Sequence, residues 1–151
     1  MARPETTDVV ERVIHIEARP ETVYGFFVDP GKMVLWKGIS AELDPRPGGI
    51  YRVDVTNGNV VRGEYVELTP YTRVVFTWGW EAEGSPLAPG STTVEVTLIP
   101  DGGGTLVRLR HSGLPTPELQ ASHAAGWDHF LERLDAAASG RDPGPDPWIK
   151  S

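Results

Sequence analysis

The sequence predicts an α+β fold in which a curved antiparallel β-sheet wraps around one long C-terminal helix. Segments in which apolar and polar side chains alternate recur along most of the chain, as in strands with one buried face. Turn signals separate them, and Asn57-Gly58 is the strongest hairpin signal. One long segment near the C-terminus instead has helical periodicity, and its apolar face comprises His123, Trp127, Phe130 and Leu134. That face needs a sheet to cover it.

The first strand is predicted at 9–18, where Ile14 and Ile16 share one face. Pro20 then opens a short helix that ends at 29–31, and a second short apolar segment follows at 32–37, so two short helices are expected after the first strand. The remaining strands are expected at 39–44, 50–56, 59–68, 73–81, 91–99 and 105–111. The Asn57-Gly58 turn should pair the segments on its two sides.

The long helix should begin after Thr116, a good N-cap residue, with Pro117 at the first helical position. Gly140 is a plausible C-terminal stop. We therefore predict one domain at 9–140, a flexible N-terminus at 1–8, and a Pro/Gly-rich tail at 141–151 that docks through Trp148.

Composition excludes several classes of function. The 151 residues carry 21 acidic and 14 basic side chains, with no basic cluster, which argues against nucleic acid or an anionic membrane as a partner. The absence of cysteine excludes disulfides, a cysteine nucleophile and a thiolate metal site. No signal peptide or membrane-spanning apolar segment is evident, so a cytoplasmic location is expected.

Several short blocks carry a resemblance to a known family. They are Trp36, Arg46-Pro47-Gly48-Gly49, Gly63, Pro70, Thr77-Trp78, Gly104-Thr105, His111-Ser112-Gly113-Leu114, His123-Ala124-Ala125-Gly126-Trp127 and Leu131. In this order they resemble the activator of heat-shock protein 90 ATPase homologue-like family, within the START-like or SRPBCC (helix-grip, Bet v-like) superfamily. The resemblance covers about residues 10–140. It implies a hydrophobic cavity between the sheet and the C-terminal helix, and many small members have no assigned activity.

The aromatic side chains of the chain suggest a pocket for a flat or apolar ligand. The candidates are Tyr24, Phe27, Trp36, Tyr51, Phe76, Trp78, Trp80 and Trp127. The alternative is that these rings fill the core, and a mixture is expected, with deep rings packing and rings at the mouth touching ligand. His111 and His123 lie on apolar faces and can orient a ligand oxygen or act as acid and base. Alternatively, each bonds a local backbone group or the other histidine.

Other polar residues are assigned no role in a site. His123 and His129 are six residues apart on the helix and point to different faces, so neither a metal site nor a cofactor is expected. His129 is expected to be solvated beside Arg133, and Glu67 and Glu95 are expected on solvated strand faces without partners.

Three functions therefore remain open. The favoured hypothesis is a single-domain protein, monomer or homodimer, that binds a small hydrophobic or aromatic molecule without covalent chemistry. The second is an enzyme of the polyketide cyclase or aromatase type that uses His111 and His123, with Tyr51 or Tyr65 as further candidates. The third is a co-chaperone-like domain that stimulates a partner ATPase.

Overall fold

The alternating segments form seven strands, which the computed structural model, describing residues 9–56 and 58–149, joins in antiparallel pairs. The strands are β1 Val10–Ile16, β2 Ser40–Leu43, β3 Ile50–Asp54, β4 Val60–Thr69, β5 Arg73–Trp78, β6 Thr92–Asp101 and β7 Gly104–Ser112. Their order in the sheet is β1-β7-β6-β5-β4-β3-β2. Consecutive strands from β2 to β7 are therefore neighbours, and β1 closes the far edge against β7.

Period-two alternation decides which face of the sheet is buried. In β6 the side chains of Thr92, Val94, Val96 and Leu98 are buried, and the residues between them are half-exposed. The facing residues of β7 follow the same rule, so that Val94 pairs with the buried His111. The predicted alternation is confirmed, and it aims His111 at the protein interior.

Three helices accompany the sheet, as predicted: α1 Pro20–Val28, α2 Pro30–Met33 and α3 Pro117–Ala138. The N-cap prediction for α3 is also confirmed, because the Thr116 hydroxyl accepts a hydrogen bond of 3.1 Å from the Leu119 amide. Gly140 follows the helix with a φ of 85°, a left-handed conformation that glycine adopts without strain. The apolar face of α3 is buried in the core, including His123 and Trp127.

The predicted hairpin joins β3 and β4, and Ile50 pairs with Glu64 at its far end. Asn57 of the predicted turn and the predicted flexible segment 1–8 lie outside the described residues. Within the part of the chain that the structure covers, none of the helices has the length and apolar character needed to cross a bilayer.

The C-terminal tail folds back along α3. Trp148 stacks on the ring of His129, with centroids 3.7 Å apart and an angle of 6° between the planes. Asp146 accepts a 2.8 Å hydrogen bond from Nε2 of the same histidine. The predicted docking through Trp148 is confirmed. The expectation that His129 is solvated is wrong, since its side chain is only 17% exposed and the tail covers it.

The outer face of the sheet corrects a second expectation. Arg73 donates to Glu67 at 3.1 Å and to Glu95 at 2.9 Å. These two acids were predicted to have no partner, but the antiparallel pairing of β4, β5 and β6 brings them to the same arginine. They form an ion-pair network on the outer face of the sheet.

Candidate functional site

A partly open cavity of about 380 Å³ lies beside the first half of α3. Its wall comes from the end of β5, the loop that follows, α3 and the tail, together with Lys37 after α2 and the turn between β3 and β4. The large apolar side chains on the wall are Trp78, Trp80, Leu87, Trp127, Phe130 and Trp148. Four of the five tryptophans of the chain therefore surround one cavity.

The structure separates the ten predicted site residues into two groups. Trp78, Trp80, His123 and Trp127 lie on the cavity wall. The other six lie away from the wall, and they are Tyr24, Phe27, Trp36, Tyr51, Phe76 and His111. Tyr24 is half-buried and packs edge-on against Tyr71, whereas the other five are buried in the core. The expectation that the deep rings pack in the core is confirmed. Contact between the wall rings and a ligand stays a prediction.

Most of the buried rings away from the cavity pack on one another, and Trp36 and Tyr51 also form hydrogen bonds. Tyr51 stacks on Phe76 with centroids 4.1 Å apart. The Trp36 indole N–H donates to the Phe26 carbonyl at 3.0 Å, and the Phe27 ring lies edge-on against Trp36. This packing is typical of a core rather than of a ligand surface.

His111 lies behind the wall in a fully assigned hydrogen-bond chain. Its Nδ1 accepts from the Trp127 indole N–H at 3.0 Å, so the ring proton is on Nε2, which donates to the Thr92 hydroxyl at 2.8 Å. Thr92 in turn donates to the Trp78 carbonyl. Burial is the largest cause that lowers the pKa of His111 to about 3. The imidazole is neutral at physiological pH.

His123 is held neutral in the same way. Its Nε2 accepts from the Trp80 indole N–H at 3.1 Å, and its Nδ1 donates to the Leu119 carbonyl at 2.8 Å. Burial lowers the pKa of His123, and the bond to Leu119 opposes this shift only in part. The two imidazoles lie edge to face, with centroids 5.3 Å apart. All four ring nitrogens already have partners, so an acid–base role would first require one of these bonds to break.

Lys37 is the basic residue of the wall that sequence reasoning missed. It is only 1% exposed, and its Nζ lies 4.0 Å from the ring centroid of Trp78 and 4.8 Å from that of Trp127. Its hydrogen bond joins Nζ to the Tyr51 hydroxyl at 3.1 Å. Burial lowers the pKa of Lys37 well below its ordinary value. The only sequence signal was that Lys37 directly follows the buried Trp36.

Other wall residues were also missed. Phe130 was predicted on the apolar face of the long helix and Trp148 in the docked tail, whereas Leu87 lies between two predicted strands and was given no role. Four polar residues also line the cavity and were not predicted, and they are Thr56, Asn59, Ser85 and Ser122. The signal for Trp148 was its isolation as the one aromatic residue of a Pro/Gly-rich tail, which needs a surface to cover it. Over residues 9–56 and 58–149, no three His, Asp or Glu side chains form a group able to hold a metal ion.

Comparison with known proteins supplies a family. The model of the family described as "Activator of Hsp90 ATPase homolog 1-like protein" matches residues 17–139. Among curated proteins, the human activator of 90 kDa heat shock protein ATPase homolog 1 is 26% identical over 113 residues, which is 74% of this chain and 31% of that protein. The chain spans about a third of the length of the curated relatives it matches.

Solved structures support the same grouping. The solution structure of an AHSA1-like protein from Rhizobium etli is 47% identical, with a TM-score of 0.74, and the match covers 95% of this chain and 89% of that one. The Aha1 dimer from Colwellia psychrerythraea has a TM-score of 0.75 at 22% identity, over 87% of this chain and 96% of that one. The second likeness supports the fold, and the dimer is a property of that neighbour.

Proposed function

The chain belongs to the activator of Hsp90 ATPase homolog 1-like family, and from this premise we propose that it binds a small hydrophobic or aromatic molecule in the cavity beside α3. The observation that carries the proposal is the wall itself, in which Trp78, Trp80, Trp127 and Trp148 surround about 380 Å³. Pockets for small ligands have volumes of roughly 300–1,000 Å³ and are lined mainly by apolar and aromatic side chains with few polar groups.

The polar groups of the wall fit this function better than acid–base catalysis. His123 has both ring nitrogens bonded within the protein, and His111 lies behind the wall with its nitrogens equally occupied. The two histidines therefore shape and stiffen the wall. Lys37 has one hydrogen-bond partner, so it is a polar group of the wall that can anchor a ligand, as is the buried Trp78 indole N–H, for which no partner is described. We infer ligand contacts for Lys37, Trp78, Trp80, His123, Trp127 and Trp148.

Gly126 allows the proposal to be tested without removing any packing. It lies on the cavity wall in the middle of α3, and a Cβ added there would meet no heavy atom within 4 Å. Leucine at this position would project into the cavity. It would also be about 0.8–1 kcal/mol better than glycine in a helix interior. The neighbouring Ala125 is exposed, so leucine there is a matched control.

The experiment begins with native mass spectrometry of the purified protein, to detect a co-purifying small molecule. The stripped protein is then titrated with 2-naphthylmethanol, with tryptophan fluorescence and thermal unfolding as readouts. We expect saturable quenching and an unfolding temperature that rises with ligand concentration. Both effects should be lost in Gly126→Leu and kept in Ala125→Leu. An empty protein that responds to no aromatic or acyl compound would contradict the proposal.

A second function is supported by the relatives. The human relative is named as an activator of a heat-shock protein ATPase, and it aligns with most of this chain. Stimulation of a partner ATPase by the surface of this domain is therefore the alternative. A purified 90 kDa heat-shock protein should then hydrolyse ATP faster when this chain is added in stoichiometric amounts. Gly126→Leu should leave that stimulation unchanged, which separates it from cavity binding.

A further inference from the structure

The cavity wall holds an amine that no acid compensates. Among the described residues, no carboxylate forms an ion pair with Lys37, although the chain has 21 acidic side chains. Aromatic rings surround its Nζ instead, with Trp78 and Trp127 nearest. A lysine ammonium removed from water in this way loses several kcal/mol of hydration without a counter-charge. Such a group is easier to bury as the neutral amine.

Tyr51 provides independent geometric support for the neutral amine. Its hydroxyl is fully buried, and the only hydrogen bond described for it is the 3.1 Å contact with Lys37 Nζ. An ammonium has no lone pair, so it would leave the phenolic proton without an acceptor. The 3.1 Å contact can run in either direction: Nζ can donate to the hydroxyl, and a neutral amine can instead accept the phenolic proton, with its own N–H groups against the aromatic faces. The phenol is therefore satisfied beside a neutral amine and not beside an ammonium.

A neutral primary amine on the wall of an apolar cavity is a nucleophile for carbonyl carbon. We propose that the natural ligand carries an aldehyde or ketone on an apolar or aromatic body, and that Lys37 captures it as an imine. The inference rests on the proposed binding function and deepens it, because it names the functional group that the cavity recognises. The rings of the wall supply the contact area for the body of the ligand.

The capture step balances without a further reactant. The Nζ lone pair forms a bond to the carbonyl carbon, the π electrons move to oxygen, and a proton passes from nitrogen to oxygen to give a carbinolamine. The carbon–oxygen bond then breaks, the oxygen leaves as water with a second proton from nitrogen, and the carbon–nitrogen double bond forms. Amine and carbonyl thus give imine and water, with no change in oxidation state. Tyr51 stays protonated, since burial raises its pKa well above the ordinary value.

The lysine content of the chain makes the proposal easy to test. There are only three lysines, Lys32, Lys37 and Lys150, against eleven arginines. Lys32 is exposed, so it reports the reactivity of an ordinary amine in the same molecule. At neutral pH an ordinary lysine is almost entirely protonated, because its pKa is about 10.4. Preferential labelling of Lys37 would therefore show that its amine is neutral and that an aldehyde in the cavity can contact it.

The experiment incubates the protein with 2-naphthaldehyde and sodium cyanoborohydride, which reduces an imine to a stable secondary amine. Peptide mapping then locates the adduct. We expect one naphthylmethyl group on Lys37, formed more than about tenfold faster than on Lys32. An excess of 2-naphthylmethanol, which has the same rings and no carbonyl, should protect Lys37. Gly126→Leu should abolish labelling at Lys37 only, and Lys32→Arg should leave it unchanged.

The outcomes distinguish failure of the imine from failure of ligand binding. If the alcohol binds but Lys37 reacts no faster than Lys32, the imine is overturned and the binding function stands. If neither compound binds, both are overturned. Lys37→Met should lose the adduct and still bind the alcohol. Tyr51→Phe, which keeps the core volume, should retain labelling at Lys37. It is the second variant to use if Lys37→Met fails to fold.

Discussion

An acid and an amine, Asp146 in the tail and Lys37 after α2, are both buried but have different partners. The Asp146 side chain is 2% exposed, and its Oδ1 accepts from His129 at 2.8 Å and from the Trp148 amide at 2.9 Å. Arg133 lies 3.8 Å from the other carboxylate oxygen. Lys37 is equally buried, yet it contacts one phenol and several aromatic faces.

The difference separates a structural charge from an available functional group. The partners of Asp146 compensate its charge, and they hold the tail against α3. Lys37 has no such compensation, so the fold gains little from keeping an amine at that position. An amine without a counter-charge on the wall of a ligand-sized cavity is available to a ligand, and this is the basis for the proposal that Lys37 meets the ligand.

Replacing Lys37 provides the largest test of this comparison. Lys37→Met in a Tyr51→Phe background keeps most of the side-chain volume, removes the amine and leaves no buried phenol without its partner. Relative to Tyr51→Phe it should raise the free energy of unfolding at neutral pH. The gain should be about 1–4 kcal/mol, by analogy with buried ion pairs replaced by apolar side chains of similar volume. Chemical denaturation of both proteins measures it. A loss of stability would show that the amine is a structural group, like Asp146.

The pH dependence of that gain identifies its cause. The folded amine has a pKa well below that of the unfolded chain, so at neutral pH the unfolded state binds a proton that the folded state does not. Wild-type stability therefore rises as the pH approaches about 10.4, and the advantage of Lys37→Met shrinks by about 1.4 kcal/mol per pH unit. The other titratable groups around the amine, Tyr51, His111 and His123, remain neutral above pH 7.

Removing Asp146, whose charge has partners, should lower the free energy of unfolding. Asp146→Ala leaves His129 and Arg133 without their carboxylate, and it should cost about 1–3 kcal/mol, the usual penalty for buried polar groups that lose a partner. Hydrogen exchange of residues 141–149 should accelerate, since the tail loses an anchor. Asp142→Ala, at an exposed acid of the same tail, is the control and should change little. Equal effects of the two variants would remove the special role of Asp146.

The ion pairs on the outer face of the sheet should give the smallest change in the free energy of unfolding. Glu95→Gln removes one of the two acids that bond Arg73, and the side chains of Glu95 and Arg73 are both 34% exposed. Water screens this pair, so the cost should be below about 1 kcal/mol by the same denaturation assay. A cost as large as that of Asp146→Ala would show that burial does not decide the comparison.

The sequence could predict the fold because periodicity is a local property. Alternation in β6 and β7 and the stripe of α3 each fix which side chains face inward, and short turns fix which strands pair. The same reasoning placed His123 and Trp127 toward the interior. It could not place Lys37, since the burial of a residue between α2 and β2 depends on contacts with Tyr51, Trp78 and Trp127 from other elements.

The histidines and acids show the same limit. Alternation correctly turned His111 inward, but the register of β6 and β7 is what brings Thr92 to one of its nitrogens, and the packing of α3 on the sheet brings Trp127 to the other. Arg73 meets Glu67 and Glu95 through strand register as well. Partners across strands depend on register, and one sequence does not give the register of every strand.

Trp148 belongs to the cavity wall although it lies beyond the last helix, 44% exposed and held by a stack on His129. The part of the wall that it supplies is thus encoded separately from the sheet and α3. Substitutions in the tail can change the shape of the cavity wall while the core stays intact, whereas substitutions in the core are constrained by packing. A substitution at Trp148 would therefore change the shape of the cavity without repacking the sheet or the buried face of α3.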